Sequence, residues 1–140
     1  MADCIFCQII DGEIPSRTVY EDEDVLAFLD VNPLARGHTL VIPKAHEAAA
    51  ADLPGDVRDA LFTAVGRLAP AVEAAVGADA STIGMNNGPA SGQEVPHGHV
   101  HVVPRFEGDG VGPLHALDWP APELDDDEFD DVQAAISDRA

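Results

Sequence analysis

The segment HGHVHVVPR, residues 97–105, constrains the fold of this chain most, because histidines alternate along it with small or apolar residues. In an extended strand, residues two apart face the same side, so His97, His99 and His101 are expected to share one face and the intervening glycine and valines the other. With a rise of about 3.3 Å per residue, neighbouring histidines would lie about 7 Å apart and the outer two about 13 Å apart. Zinc needs its nitrogen ligands at roughly 2 Å, so one ion could take an adjacent pair but hardly all three.

The remaining strand patterns predict an α+β domain with about five mostly antiparallel strands. RTVYEDEDVLAFLD, residues 17–30, favours a hairpin that turns at Glu21–Asp24. The apolar run HTLVIP, residues 38–43, has strand length and is expected in the middle of the sheet. STIGMN, residues 81–86, and HVHVVP, residues 99–104, supply two more strands.

One long helix and short terminal helices are predicted beside this sheet. CQIIDGEI, residues 7–14, suits one helical turn or more, and a C-terminal helix is expected over Asp125 to Ile136, with Phe129, Val132 and Ile136 on one face. The long helix is expected from Asp52, a candidate cap, onward. Pro70 lies inside its pattern, so a kink or a break is expected there. The apolar residues at helical spacing are Val57, Leu61, Val65, Leu68, Val72 and Val76.

Length and composition favour a single domain. The chain has 140 residues, of which 46% are hydrophobic, so it can bury a core without obligatory disulfides or metals. The opening residues MADCIFCQII lack the basic and apolar regions of a secretory leader, and no apolar run approaches the length that spans a bilayer. We therefore expect a soluble, cytoplasmic protein with no membrane partner.

Acidic residues dominate the charge of the chain. Asp and Glu number 26 against 7 Lys and Arg, which gives a formal net charge of -19, and Lys44 is the only lysine. Phosphate backbones are bound by basic clusters, which this sequence lacks, so nucleic acid is not expected as a partner. The acidic run ELDDDEFDD, residues 123–131, suits a solvated helix start.

Abundant acid with scarce lysine indicates a halophilic protein, adapted to a salty cytoplasm. At molar salt, charges are screened over a few ångströms, which weakens the repulsion within the folded chain. We therefore expect the Tm to rise between dilute buffer and molar KCl, as measured by thermal unfolding at a series of KCl concentrations. A Tm that does not rise would count against this adaptation.

The loop before the histidines, MNNGPASGQEVP, residues 85–96, is rich in glycine and asparagine. Such residues allow backbone N–H groups to turn inward and form an anion-binding concavity, although they also suit an ordinary turn. Phosphate is the natural occupant of a concavity beside histidines. No paired carboxylates suggest magnesium, so positive charge would come from imidazolium groups and backbone dipoles, which fits a histidine nucleophile attacking phosphorus.

The three alternating histidines, together with NNG and GQEVPHGHVHVVPR, resemble the signature of the histidine-triad (HIT) family, in its nucleotide-binding protein branch. CIFCQIIDGEIPSRTVYEDEDVLAFLDVNPLARGHTLVIPKAH, residues 4–46, resembles the N-terminal half of that family almost throughout. The resemblance implies one HIT-like domain over residues 1–140, with 106–140 a less certain C-terminal extension. It also implies a homodimer in which the sheets of two protomers join.

The resemblance also implies a reaction. His99 would attack the α-phosphorus of a purine nucleotide and hold the nucleotidyl group until water releases a nucleoside monophosphate. His101 and His38 would contact the phosphate and the reacting group. Glu94 stands where several eukaryotic members carry a serine that assists the leaving group, and Asp30 would accept hydrogen bonds from ribose hydroxyls. The phosphate loop would use Asn86, Gly92 and Gln93, and the base would lie against Ile5, Phe6, Ile9, Phe28 and Val31, residues that plain core packing would also explain.

The spacing Cys-x-x-Cys at Cys4 and Cys7 suits a metal site, and His46 follows a strand end. Together with His97, these residues could form a tetrahedral zinc site. The set of four resembles the complete ligand set of some histidine-triad proteins. Four protein ligands leave no open position, so the zinc would be structural. The alternatives are a redox pair, disfavoured by the bulky residues between the thiols, and two unconnected buried cysteines.

The sequence is consistent with three functions. The first is an enzyme, a nucleotide phosphoramidase or dinucleoside-polyphosphate hydrolase; a uridylyltransferase is disfavoured because its triad resembles His-x-His-x-Gln, whereas this chain has His101 in the third place. The second is a nucleotide-binding regulatory or partner-binding protein with negligible turnover. The third is a zinc-held interaction module without a nucleotide site. In relatives a C-terminal tryptophan segment reaches the partner's active site, and Trp119 resembles it loosely; His115 has no assigned role.

Overall fold

The computed structural model describes residues 3–140; Met1 and Ala2, which the predicted domain range includes, lie outside the described residues. The described chain contains a five-stranded antiparallel sheet and three α-helices, which confirms the predicted α+β class. The helices are α1 (Ile5–Ile10), α2 (Gly55–Val76) and α3 (Asp126–Arg139). The strands are β1 (Thr18–Glu21), β2 (Val25–Leu29), β3 (Thr39–Pro43), β4 (Ala80–Gly84) and β5 (Val100–Arg105). None of these helices is long and apolar enough to cross a membrane.

The strand order β1-β2-β3-β5-β4 places β3 at the centre of the sheet, as its apolar sequence predicts. The predicted β1–β2 hairpin is present, and its turn is closed by Asp22, whose carboxylate accepts hydrogen bonds from the backbone N–H groups of Asp24 and Val25 at 2.8 and 2.9 Å. The register sets His101 of β5 opposite Leu40 of β3 on one side and Gly84 of β4 on the other. His101 is therefore flanked by a strand on each side, close to the start of β5.

Each face of the sheet packs against a different helix. Val41 of β3 and Val100 of β5 belong to the core formed with α2, whereas Leu40 and Ile42 of β3 belong to a second core formed with α1. Side chains alternate along a strand, so a strand buried on both faces is largely apolar, as β3 is from Leu40 to Pro43. The short α1 contributes Phe6 to the second core. The α1 face of the sheet carries the candidate functional site.

The start and the continuity of α2 differ from the sequence predictions. Asp52 is not the cap: it ends a short 3₁₀ turn, and α2 begins at Gly55 after Pro54, which has no capping side chain. The helix is not broken at Pro70 either. Pro70 and Gly66, the residue four positions earlier whose carbonyl loses its donor, both lie on the exposed side, where water can satisfy that carbonyl. The predicted apolar stripe faces the core through Leu61, Val65, Leu68 and Val72.

The predicted histidine strand is shorter than its alternation suggests. β5 begins at Val100, so His97 and His99 precede it and only His101 lies within it. The N–H of Gly98 donates to the carbonyl of Glu47 at 2.7 Å instead of to a neighbouring strand. A Cβ at Gly98 would lie 3.2 Å from Cε of Met85 and 3.4 Å from that same oxygen, so there is little space for a side chain here. This contact with a residue distant in sequence, which the alternation cannot encode, takes Gly98 out of the strand pairing.

Residues 110–140 form a compact unit separate from the unit that ends at Asp109. The C-terminal helix lies close to its predicted range, with Asp125 as N-cap and a capping box between Asp125 and Glu128. Its three predicted apolar residues are between 50% and 62% exposed. Trp119 is also exposed, and its indole N–H donates to the carbonyl of Leu114 at 3.3 Å. The predicted domain range, with an extension from residue 106, stays a prediction.

Candidate active site and metal site

A cavity of about 540 Å³ opens on the α1 face of the sheet. This volume is within the range of small-molecule sites. His38, His99 and His101 all line it, as do all the predicted nucleotide-binding residues except Gln93. The cavity also brings in residues that the sequence analysis missed, and the only signal for them is their position within the segments that resemble the family. They are Ile14, Pro15, Ser16, Leu29, Asn32, Leu34, Leu40 and Val95.

Gln93 holds the predicted phosphate loop together and does not line the cavity. Its side-chain oxygen accepts a hydrogen bond from the N–H of Gly88 at 2.8 Å. Its amide nitrogen donates to the carbonyls of Ala48 at 2.9 Å and Val95 at 3.0 Å. These three bonds tie both ends of the loop to one another and to the segment before α2. The loop is therefore fixed in front of the histidines by Gln93.

His99 has one ring nitrogen committed and one free. Its Nδ1 lies 2.8 Å from the carbonyl oxygen of His97. A carbonyl can only accept, so Nδ1 carries the hydrogen and Nε2 keeps its lone pair. The ring packs edge-on against Phe6, with centroids 5.0 Å apart, and is 8% exposed. Backbone and aromatic contacts thus hold His99 in the tautomer that a nucleophile requires.

His38 and His101 form a hydrogen-bonded chain with a defined direction. The backbone N–H of Leu34 donates to Nδ1 of His38 at 3.0 Å, so Nε2 of His38 carries the hydrogen. That Nε2 donates to Nδ1 of His101 at 2.9 Å, which leaves the hydrogen of His101 on its Nε2. Both rings are mostly buried. The chain therefore presents an N–H group of His101 as a donor for an anion in the cavity.

Burial makes these two rings neutral, which differs from the imidazolium groups expected from the sequence. Burial lowers the pKa of His38 and, together with the neighbouring histidines, lowers the pKa of His101 to about 4. Low dielectric surroundings disfavour the charged form of imidazole, and the carboxylate of Asp30 opposes this only in part. At neutral pH the free site offers N–H dipoles in place of cationic rings.

Asp30 lies beside this chain, with one carboxylate oxygen 3.7 Å from Nε2 of His38. Its other oxygen accepts the N–H of Asn32 at 2.9 Å. Asp30, His38 and His101 are close enough together to suggest a metal site. The hydrogen bonds of His38 argue against a metal ion here. Nδ1 of His38 already accepts the Leu34 N–H, so the hydrogen of the neutral ring is on Nε2, and neither nitrogen has a lone pair free to bind a metal. A hydrogen-bond chain explains the cluster better.

Titration of His101 should make the stability of the protein depend on pH. Its folded pKa is about 4 and the ordinary value is 6.5, so between these values the unfolded chain binds more protons. The free energy of unfolding should therefore fall as pH drops from 6.5 towards 4, by on the order of 2 kcal/mol for this group after allowance for partial solvation.

The measurement is urea unfolding of wild type and His101→Gln from pH 7 to pH 5. The variant lacks the titrating ring, so the difference between the two proteins isolates it from the many carboxylates. Parallel pH profiles for the two proteins would contradict the prediction.

The four predicted metal ligands come together beneath the active site. The ligand atoms of Cys4, Cys7, His46 and His97 all lie within 4.8 Å of one another. Nδ1 of His97 lies 3.5 Å from Sγ of Cys4, 3.6 Å from Sγ of Cys7 and 3.2 Å from Nδ1 of His46, and Cys7 Sγ lies 3.2 Å from His46 Nδ1. In a tetrahedral zinc site, with bonds of about 2.0–2.3 Å, neighbouring ligand atoms lie roughly 3.3–3.8 Å apart. The spacing fits this ion.

The tautomer of His97 also suits a metal ligand. Its Nε2 lies 2.8 Å from the carbonyl oxygen of Pro43, so Nε2 carries the hydrogen and Nδ1 faces the other ligands with its lone pair. The ring is fully buried, and burial lowers its pKa, which favours the neutral form that binds metals. The site could hold a metal ion.

A redox role for the cysteines finds no support in this geometry. Both thiols are free and buried, and burial together with the neighbouring Cys4 raises the pKa of Cys7 in the metal-free chain. A reactive thiol needs the opposite shift. A metal at this site would join α1, which carries Phe6, to the segment that carries His99, and so would support the active site without touching a substrate.

Comparisons with known proteins agree with this geometry. The family model described as the HIT domain matches residues 11–108. A HIT-like protein of Methanocaldococcus jannaschii is 50% identical over 107 residues, covering 76% of this chain and 82% of that protein. The adenosine 5'-monophosphoramidase of Saccharomyces cerevisiae is 41% identical, covering 91% and 77% of the two chains. An adenylylsulfatase of Arabidopsis thaliana is 40% identical, covering 88% of this chain and 62% of that protein.

Solved structures show the same fold. The structure of a Streptococcus mutans protein superposes with a TM-score of 0.87 at 41% identity, covering 99% of this chain and 86% of the other. A zinc-bound histidine triad family protein of Mycobacterium smegmatis superposes with a TM-score of 0.75 at 34% identity, covering 99% of both chains. The fold and the histidine site define a histidine-triad protein. The chain belongs to the HIT family.

Proposed function

We propose that this protein is a nucleotide hydrolase that cleaves nucleoside phosphoramidates or dinucleoside polyphosphates at the α-phosphate through a covalent nucleotidyl-histidine intermediate. The observation that carries the proposal is the free Nε2 of His99 in a nucleotide-sized cavity, with Nδ1 fixed by the His97 carbonyl. The relatives named as an adenosine 5'-monophosphoramidase and an adenylylsulfatase support hydrolase activity on adenosine nucleotides.

The first step forms a bond between Nε2 of His99 and the α-phosphorus and breaks the bond to the leaving group. With an amine leaving group, the departing nitrogen takes a proton from solvent. The positive charge that develops on the His99 ring is stabilised through Nδ1–H by the His97 carbonyl. His101 donates its Nε2–H to a non-bridging phosphate oxygen, a bond that strengthens as negative charge accumulates there. Water then attacks the same phosphorus, and the bond between phosphorus and Nε2 of His99 breaks, which restores the neutral ring. One proton of the water passes to solvent, and the nucleoside monophosphate leaves.

The lining of the cavity supports a purine nucleotide as the bound molecule. Apolar side chains from α1 and β2 offer a surface for a flat base, with Ile9 and Phe28 among them. Asp30, beside this surface, has a partly exposed carboxylate for ribose hydroxyls. Asn86 and Gly92 belong to the loop that would hold the phosphate.

We further propose a homodimer and a structural zinc at Cys4, Cys7, His46 and His97.

The test is to mix wild-type protein with an adenosine phosphoramidate, quench in mild base, and measure intact mass together with release of adenosine monophosphate. Mild base preserves a phosphorus–nitrogen bond to histidine, so we expect a mass increase of one adenylyl group and steady product release. Tight nucleotide binding without adduct or product would instead identify a nucleotide-binding regulatory protein. If no nucleotide raises the Tm of the protein, the result would favour an interaction module held together by zinc.

A further inference from the structure

We infer that Glu94 selects the leaving group by its charge, favouring substrates whose leaving group carries a positive charge and disfavouring those whose leaving group is anionic. This inference rests on the proposed hydrolase function and names the substrate class within it. Cationic amines joined to the α-phosphate are the favoured class, and polyphosphate chains are the disfavoured one.

The charges that line the cavity carry the inference. Among the described lining residues, Asp30 and Glu94 are acidic, and no lysine or arginine is present. A site that accepts a polyphosphate would be expected to place cationic side chains near the additional negative charges. Here the fixed side-chain charges are both negative. Because His38 and His101 are neutral, their rings do not offset these two negative charges.

The two carboxylates have different surroundings. Asp30 accepts a hydrogen bond from the N–H of Asn32 and approaches His38, so its charge is partly engaged within the protein. Glu94 is exposed and has no hydrogen bond or ion pair with any described residue. Its carboxylate is therefore available to a group that enters the cavity. A free carboxylate attracts an ammonium group and repels a phosphate or a carboxylate.

The backbone that carries Glu94 is fixed by the contacts of its two neighbours. Gln93, the preceding residue, makes three hydrogen bonds that close the loop. Val95, the following residue, packs against the core that contains Phe6, and its carbonyl accepts the N–H of His97 at 2.8 Å. Glu94 is thus held between two anchored neighbours a few residues before His99. In the proposed mode of binding, a charge in this position would lie near the phosphate, which the neighbouring Gly92 and His99 are proposed to contact.

The test compares three adenosine 5'-phosphoramidates of similar length. Their leaving amines are 1,4-diaminobutane, which carries a distal ammonium; butylamine, which carries no distal charge; and 4-aminobutyrate, which carries a distal carboxylate. At low ionic strength we expect the wild-type kcat/KM to be highest for the first and lowest for the last, with roughly tenfold between them. Glu94→Gln should reduce that ratio to near one, and Glu94→Asp should retain most of it.

Glu107→Gln is the matched control, because it removes the same charge from an exposed residue that does not line the cavity. It should keep the wild-type ratio, and the melting curves of all variants should show that each is folded. Equal kcat/KM for the three substrates in wild type, or an order unchanged in Glu94→Gln, would overturn the role of Glu94. Failure of wild type to cleave any of the three would overturn the proposed hydrolase function itself, and with it this inference.

Discussion

Replacing His99 by alanine should abolish both the trapped adenylyl mass and the release of adenosine monophosphate, with a loss in kcat of at least on the order of a thousandfold. The reason is geometric: His99 is the lining histidine whose Nε2 has a lone pair and whose Nδ1 is held by a backbone carbonyl. His101 has its hydrogen on Nε2 and cannot attack without losing it. Rapid-quench product analysis and intact mass spectrometry measure the two losses together.

Two further variants keep this result interpretable. His99→Asn removes the nucleophile while its amide can still donate to the His97 carbonyl, so it should be as inactive as His99→Ala with a smaller loss of stability. His115→Ala is the matched control, since it removes an exposed histidine that has no role in the proposed reaction, and it should retain wild-type turnover. Turnover by His99→Ala within tenfold of wild type would rule out covalent catalysis by this residue.

The purified protein should contain one zinc ion per chain, and losing it should lower the Tm by on the order of 10 °C. Structural zinc contributes its binding free energy to folding, and here it would join α1, the end of β3 and the segment before β5. Elemental analysis and thermal unfolding, each with and without a strong chelator, measure both effects. The adduct at His99 should still form in chelated protein below its lowered Tm, because four protein ligands leave no coordination position for a substrate.

The double variant Cys4→Ala, Cys7→Ala provides the control for this experiment. It should bind no zinc and should melt at the same temperature with and without chelator, because the chelator then has nothing to remove. Any direct effect of the chelator on the fold would appear equally in both proteins. A wild-type protein that contains no metal, or whose Tm is the same before and after chelation, would contradict the structural zinc.

The metal ligands show how far local sequence leads. Cys-x-x-Cys places two thiols one helical turn apart, and the structure brings both beside His46 and His97 at spacings that suit zinc. The hairpin of β1 and β2 was equally predictable, because an acidic turn between two strand-forming segments is a short-range signal. The central place of β3 followed from its apolar run, since a strand covered on both faces has no polar side.

Element boundaries were less predictable. Alternation suggested a strand through all three histidines, yet β5 starts at Val100, because the Gly98 N–H bonds to Glu47, which is far away in sequence. Likewise Pro70 does not break α2, one of the two outcomes expected there, since the residue whose carbonyl loses its donor lies on the exposed side. In both cases the outcome depended on the surroundings of one backbone group, which no local pattern records.

The sequence by itself determined the fold class and the family and predicted most of the residues that the structure gathers in the cavity, because periodicity and motif spacing are properties of the chain. Only the tertiary structure decided what each site residue is free to do. The Leu34 N–H and the His97 carbonyl set the tautomers of His38, His101 and His99. Burial makes His38 and His101 neutral. Gln93 holds the loop together through its hydrogen bonds and does not line the cavity. Tautomers and pKa values depend on partners and burial, and these are fixed when distant segments pack together.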